Sequence, residues 1–390
     1  MAKYKYLIVG AGMTADAAVR GIRELDPGGS IGMIGDDPNP PYNRPPLTKA
    51  LWKGKSLDSI WRRTQDFNID LHLGRTVRSI DPIKKEVMDD QGTEYQYEKL
   101  LLATGGTPRK LPFGAGNIIY YRTLEDYQTL RELSQHSEHF GVIGGGFIGS
   151  EIAAALAMNG KKVSMFFPED AIGARIYPKE LSEYLNEFFR QKGVELIPGV
   201  HVADLKKSDG AFEIITAEGK KVQVEGVIAG IGIQPNVDLA TSAGLKVSNG
   251  VVVDDLLHTS QPDIFAAGDV AEFANPALGK RLRIEHEDNA NTMGKQAGRN
   301  MAGANEPYHH LSYFYSDLFE LGYEAVGELD SRLETFADWK DPFKKGVIYY
   351  LAEGRVRGVL LWNVWDTVPK ARELIAEVGP FTPADLKGRL

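Results

Sequence analysis

An apolar strand that runs into a glycine loop and then a helix occurs twice in this chain, and few folds accept that order even once. Near the N-terminus, Tyr6-Leu7-Ile8-Val9 reads as a buried strand that enters Gly10-Ala11-Gly12-Met13-Thr14-Ala15. A helical spacing of Ala17, Ala18, Gly21, Ile22 and Leu25 follows, and then a second short strand over residues 30–34. Residues 140–169 repeat the arrangement. Phe140-Gly141-Val142-Ile143 leads into Gly144-Gly145-Gly146-Phe147-Ile148-Gly149, a helix through Ile152, Ala155 and Leu156, and a strand over residues 162–167. Each copy is a βαβ unit, the context that gives a glycine motif its meaning.

The spacing has a physical reason. The first glycine makes a tight turn, the second lets backbone approach a pyrophosphate, and the third position must be small for helix and strand to pack. Ala15 meets that last demand as Gly149 does. The helix N-terminus then offers free N–H groups and a positive dipole end to phosphate. A carboxylate after the second strand accepts ribose hydroxyls: Asp36 stands 26 residues after Gly10, and Glu169 stands 25 after Gly144. Two such sites imply two different dinucleotides. Carboxylates at both ribose positions favour a 2′-hydroxyl, hence FAD and NADH over NADPH. Arg175, just downstream of Glu169, is the alternative: it would hold a 2′-phosphate instead. The expected class is α/β, with two Rossmann-like dinucleotide-binding domains and a C-terminal α+β domain.

Two further strands decide which site takes which cofactor. Leu100-Leu101-Leu102-Ala103-Thr104-Gly105 is apolar and ends in a small-residue turn, and Ile264-Phe265-Ala266-Ala267-Gly268-Asp269 ends in Gly-Asp. At this point the chain resembles the two-dinucleotide flavoprotein reductases over essentially its whole length. The resemblance implies FAD on the first fingerprint, with Asp36, Arg44, Arg109 and Asp269 around it, and NAD on the second. It extends the cofactor contacts to Ala103, Thr104, Gly105, Gly268, Phe147, Ile148 and Gly232. Pro41-Tyr42-Asn43-Arg44-Pro45-Pro46-Leu47-Thr48-Lys49 is similar to the signature of oxygenase-coupled ferredoxin reductases and of apoptosis-inducing factors. Phe167-Pro168-Glu169, Arg283-Ile284-Glu285-His286-Glu287, Gly322-Tyr323-Glu324-Ala325-Val326-Gly327 and Gly358-Val359-Leu360-Leu361-Trp362-Asn363 lean toward the latter. The chain departs from that family in two places. Tyr315 stands where the family usually has Trp, and the long acidic-polar insertion of the animal factor is missing.

The expected FAD domain is discontinuous, about residues 1–112 plus 237–307, with an NAD domain inserted over about 113–236. Pro108, Pro112 and residues 114–116 punctuate the first crossing, and Gly230-Ile231-Gly232-Ile233-Gln234-Pro235-Asn236 the return. From about 308 to 390 the pattern changes to period-two strands over 323–329, 346–351 and 356–362. A helix through Val368, Ala371, Leu374, Ile375 and Val378 follows. That helix is about three turns long with charges between its apolar positions, so it is expected on its own sheet rather than on a membrane.

The resemblance also nominates catalytic positions. It implies that Lys49 and Glu151 meet near flavin N5, where a lysine favours negative charge on the reduced ring and a carboxylate holds the lysine. The plainer alternative is a salt bridge with no redox role. Glu285 and His286 are implied beside the nicotinamide, Glu285 as the carboxamide partner and His286 as a flat wall, because hydride transfer needs no proton relay at C4. Tyr315 would supply a stacking face. His309 and His310 are adjacent, so their side chains diverge, and no metal-ligand spacing occurs anywhere.

Composition narrows the chemistry. There is no cysteine in 390 residues, which excludes structural disulfides, thiolate zinc, cysteine-ligated iron–sulfur clusters and every thiol relay. Flavin enzymes that use a Cys-x₄-Cys pair carry it where this chain has its 44–49 loop. Electrons must therefore pass from flavin to an outside acceptor. A net charge of −8 argues against nucleic acid as a partner. No segment has the demand of a bilayer span or a signal sequence, so a soluble, cytoplasmic protein is the expectation. The leading function is an NADH-dependent flavoprotein reductase that passes electrons to a ferredoxin-like protein or a quinone. The competitor, taken from the apoptosis-inducing factors, is a redox sensor that holds NAD on reduced flavin for long periods and associates into a homodimer.

Overall fold

The computed structural model describes residues 1–208 and 210–390. Contacts divide the chain into two compact units. The first comprises Met1–Arg44, Leu57–Thr107 and Gln234–Tyr313; the second comprises Pro45–Ser56, Pro108–Ile233 and Phe314–Leu390. The 45–56 loop, read from the sequence as part of the FAD segment, groups with the second unit. Its side chains explain why: Trp52 donates from Nε1 to the backbone oxygen of Leu47, and Tyr121 donates to that same oxygen.

The first unit is built on a seven-stranded sheet. Its strands run in the order Asp70–Leu73, Ile31–Gly35, Ala2–Val9, Glu94–Leu102, Glu86–Asp89 and Val77–Asp81, and Ile264–Ala266 also pairs with Glu94–Leu102. The strands nearest the glycine loop are parallel, with Tyr6 opposite Ile31 and Leu7 opposite Leu100. Both faces of a parallel sheet are covered, which is why Leu7, Ile8, Leu100 and Leu101 read as unbroken apolar runs and are fully buried. The helix Met13–Leu25 packs on the helix Glu287–Met301 through glycine. A Cβ at Gly298 would lie 2.0 Å from the backbone oxygen of Ala18, and one at Gly21 would lie 2.1 Å from that of Lys295.

Among the described residues, the second unit contains three sheets. Five parallel strands follow the order Val194–Pro198, Lys162–Phe167, His139–Ile143, Gly226–Ala229 and Ile119–Tyr120. The sequence reading did not anticipate the three-stranded antiparallel sheet of Val202–Ser208, Ala211–Thr216 and Lys221–Val224. Its Ile214 and Val224 pack with Ile143 and Phe166 in one core. The C-terminal sheet has five antiparallel strands, in the order Tyr313–Leu318, Leu321–Gly327, Arg355–Trp362, Lys345–Ala352 and Glu334–Asp341. The first and last of these were also not foreseen. The expected strand over 323–329 ends at Gly327, whose φ of +79° turns the chain. The helix Val368–Ala376 buries Val368, Ala371, Leu374 and Ile375. Val378 lies beyond it and is 77% exposed, because Gly379-Pro380 prevents another turn.

Candidate dinucleotide and redox sites

Each glycine fingerprint folds in the same way. Gly10 has φ of +113°, and a Cβ there would stand 2.1 Å from the backbone oxygen of Ala103. Gly144 has φ of +116°, with the backbone oxygen of Gly230 at 2.4 Å from the same construction. Only glycine satisfies such positions. Gly12 and Gly146 differ from these. Each is the N-cap of its helix with no side-chain cap, and a Cβ on either would meet nothing within 4 Å. Open space thus adjoins each helix N-terminus, and that space and the helix dipole fit a dinucleotide pyrophosphate. The third position is not equivalent in the two copies. Ala15 is fully buried, whereas a Cβ at Gly149 would lie 2.0 Å from the backbone oxygen of Gly144.

In the first unit, other expected residues gather at the same sheet edge. Asp36 is exposed immediately after the strand Ile31–Gly35. Gly268 has φ of +76° and sits against Thr14 of the fingerprint helix, bringing Asp269 to the cradle. Thr104 and Gly105 are braced by Asn236, which donates from Nδ2 to the Thr104 oxygen at 2.8 Å and from its backbone N to the Gly105 oxygen at 3.0 Å. The Arg44 guanidinium lies 5.9 Å from the Tyr42 ring centroid. His286 caps the helix Glu287–Met301, half-buried, and burial pushes its imidazole down to about 4. Glu285 is ion-paired to Arg283 at 2.5 Å. His309 and His310 do diverge: His310 meets Asp288 at 2.6 Å, while His309 lies 3.7 Å from Asp255.

Sequence reasoning missed one group here. Asp16, fully buried on the fingerprint helix, accepts from Arg62 Nε at 2.6 Å, from Arg20 Nε at 2.8 Å and from Thr64 Oγ1 at 2.7 Å. Arg62 also donates to Asn43 Oδ1 at 2.8 Å, which fixes the chain entering Arg44. A carboxylate directly after Ala15, with Arg20 four residues on along the same helix, was the available signal.

In the second unit, Glu151 is 4% exposed and is a hub. Its Oε2 accepts from Lys49 Nζ at 2.7 Å and Thr48 Oγ1 at 2.6 Å, and its Oε1 accepts from Ser316 Oγ at 2.5 Å. Lys49 is also 5.3 Å from the centroid of the Tyr315 ring. Phe147 meets Phe314 edge to face at 5.3 Å, and Ile148 is exposed at the helix start. Glu169 and Arg175 were weighed as alternatives, but they are partners: Arg175 Nη2 lies 2.6 Å from Glu169 Oε1. Exposed Arg109 donates its backbone N–H to the oxygen of Gly232, whose φ is +90°. Among the described residues, no group of three metal-type side chains clusters, and no helix is long and apolar enough to cross a membrane.

Known proteins are similar to this chain over most of its length. The model of the pyridine nucleotide-disulphide oxidoreductase family matches residues 4–294. A model described as apoptosis-inducing factor, mitochondrion-associated, C-term, matches residues 297–342 and 337–377. The chain is 34% identical to apoptosis-inducing factor 1, mitochondrial, of Dictyostelium discoideum, over 96% of this chain and 78% of that protein. It is 32% identical to putidaredoxin reductase CamA of Pseudomonas putida, over 97% and 93% respectively. A crystal structure of the covalent putidaredoxin reductase–putidaredoxin complex superposes with a TM-score of 0.91 at 30% identity, covering 98% of this chain and 95% of that one.

Proposed function

The chain belongs to the pyridine nucleotide-disulphide oxidoreductase family, and we propose that within it this protein is an NADH-dependent flavoprotein reductase serving a ferredoxin-type protein carrier. The observation that carries this reading is the presence of two phosphate cradles in a chain with no cysteine. A thiol relay has no atoms to use, so electrons go directly to an outside acceptor. Bound FAD supplies the chemistry of accepting two electrons as hydride and releasing them singly.

The protein's own residues bind, orient and tune. Gly10, Gly12 and Ala15 seat one pyrophosphate; Asp36 takes ribose hydroxyls, and Arg44, Arg109 and Asp269 hold the remainder of FAD. Gly144, Gly146 and Gly149 seat NADH, with Glu169 on its ribose. Lys49, held by Glu151, places positive charge where the reduced ring gathers negative charge. Neutral His286 walls the nicotinamide and Glu285 receives its carboxamide. The FAD segments are about 1–112 and 237–307, the NAD segment about 113–236, and the C-terminal domain about 308–390. Similarity to putidaredoxin reductase supports a ferredoxin-like carrier over a quinone.

Stopped-flow reduction by NADH, followed by reoxidation against a ferredoxin, a quinone and air, tests the reading. Fast reoxidation by the ferredoxin alone is the expected result. The match of residues 297–377 to the apoptosis-inducing factor model favours a second reading, redox sensing. It requires a reduced form that survives many minutes in air, together with a shift from monomer to dimer on NADH addition in size-exclusion chromatography.

A further inference from the structure

We propose that Arg283 is a positioning residue that sets the place of Glu285 and, through it, the affinity for the nicotinamide nucleotide. The proposal rests on the reading above that Glu285 receives the carboxamide. Arg283 Nη1 lies 2.5 Å from Glu285 Oε1 and donates to the backbone oxygen of Asp269 at 3.1 Å. The arginine side chain is only 9% exposed, against 35% for the glutamate. Its stem is threaded past Gly250, where a Cβ would stand 3.0 Å from Arg283 Cδ and 2.7 Å from the Val270 oxygen. The Asp269 turn that anchors the guanidinium is itself fixed, because Gly268 abuts Thr14 at 2.3 Å from its would-be Cβ.

Stability does not explain this arrangement. Glu285 is one-third exposed, and pairs with such a partner contribute little to folding. Arg283 Nε is buried with no hydrogen-bond partner among the described residues, which is a cost. A rigid, planar guanidinium whose one nitrogen, Nη1, meets both the Asp269 oxygen and Glu285 supplies geometry instead. It confines a glutamate that would otherwise sample several rotamers, and the ordering is done before the nucleotide arrives.

Calorimetric titration of NAD⁺ into the oxidised, FAD-loaded protein tests the proposal without measuring turnover. Arg283→Met should weaken NAD⁺ by about tenfold, roughly 1.4 kcal/mol, with the flavin spectrum and Tm retained. Arg283→Lys should lose about threefold, because charge on a flexible stem, without the planar guanidinium, restores only part. In a Glu285→Ala background, Arg283→Met should change affinity less than about twofold, since an effect exerted through Glu285 vanishes with it. Unchanged affinity in Arg283→Met, or the same tenfold loss without Glu285, overturns the proposal. If Arg283→Met does not fold, wild-type affinity in Arg283→Lys overturns it. A wild type that takes up no NAD⁺ overturns the functional reading itself, an outcome distinct from the others because they all leave wild-type binding intact.

Discussion

Among the described residues, three side chains donate to Glu151, and of these Lys49 alone is charged. Lys49→Met should therefore leave a buried carboxylate with two hydroxyl donors and destabilise the fold by about 3 kcal/mol. If Lys49 also stabilises negative charge on the reduced flavin, the same variant should lower the flavin potential; about 30 mV corresponds to about 1.4 kcal/mol for a two-electron couple. A stability loss at an unchanged potential would reduce the pair to scaffolding. At His286 the folded state prefers the neutral ring, held at about 4, while an unfolded chain takes up a proton near the ordinary value of about 6.5. The contribution of His286 is thus complete above about pH 6.5 and is lost as pH falls toward 4. His286→Asn should flatten the acid limb of stability measured by denaturant titration, and flavin reduction by NADH should show no His286 titration between pH 6 and 8. Glu169→Ala should narrow the NADH-to-NADPH ratio of kcat/KM by freeing Arg175 for a 2′-phosphate. Lys49 and Glu151 were legible because each sits in a motif. Arg62 was not, since its contact with Asp16 spans 46 residues and leaves no local spacing to read.

At the level of elements, the fingerprints separate folding from binding. Gly10→Ala places a Cβ against the Ala103 oxygen at a positive φ and should cost about 3 kcal/mol or more in urea denaturation. Gly12→Ala meets no protein atom, so apoprotein stability should stay within about 0.5 kcal/mol of wild type while FAD titration shows weakened binding. Both βαβ units were legible from the sequence, because parallel buried strands and glycine turns are written in consecutive residues. The three-stranded sheet within 202–224 was not, because strands such as Lys221–Val224 are only four residues long and half-exposed. Glu334–Asp341 escaped for a similar reason: its residues alternate weakly and none is buried.

For the molecule as a whole, a chain with no thiol and no recognised flavin-attachment motif should hold FAD without a bond. Heat or acid precipitation should leave all of the yellow colour in the supernatant; flavin remaining on the pellet would contradict the reading. The division into two units was legible only in part, since the chain crosses between them repeatedly and the 45–56 loop belongs by contact to residues far downstream. That crossing has a consequence for synthesis. The Glu151 hub draws on Thr48, Lys49 and Ser316, so its last donor lies 165 residues beyond the carboxylate it serves. A ribosome-bound chain that has exposed both fingerprints still lacks that donor, and loop closure over such separations is slow. Nascent chains stopped before residue 316 should thus display formed glycine-loop folds beside an incompletely satisfied Glu151, and the Lys49–Glu151 hub should be the final part of the second unit to mature.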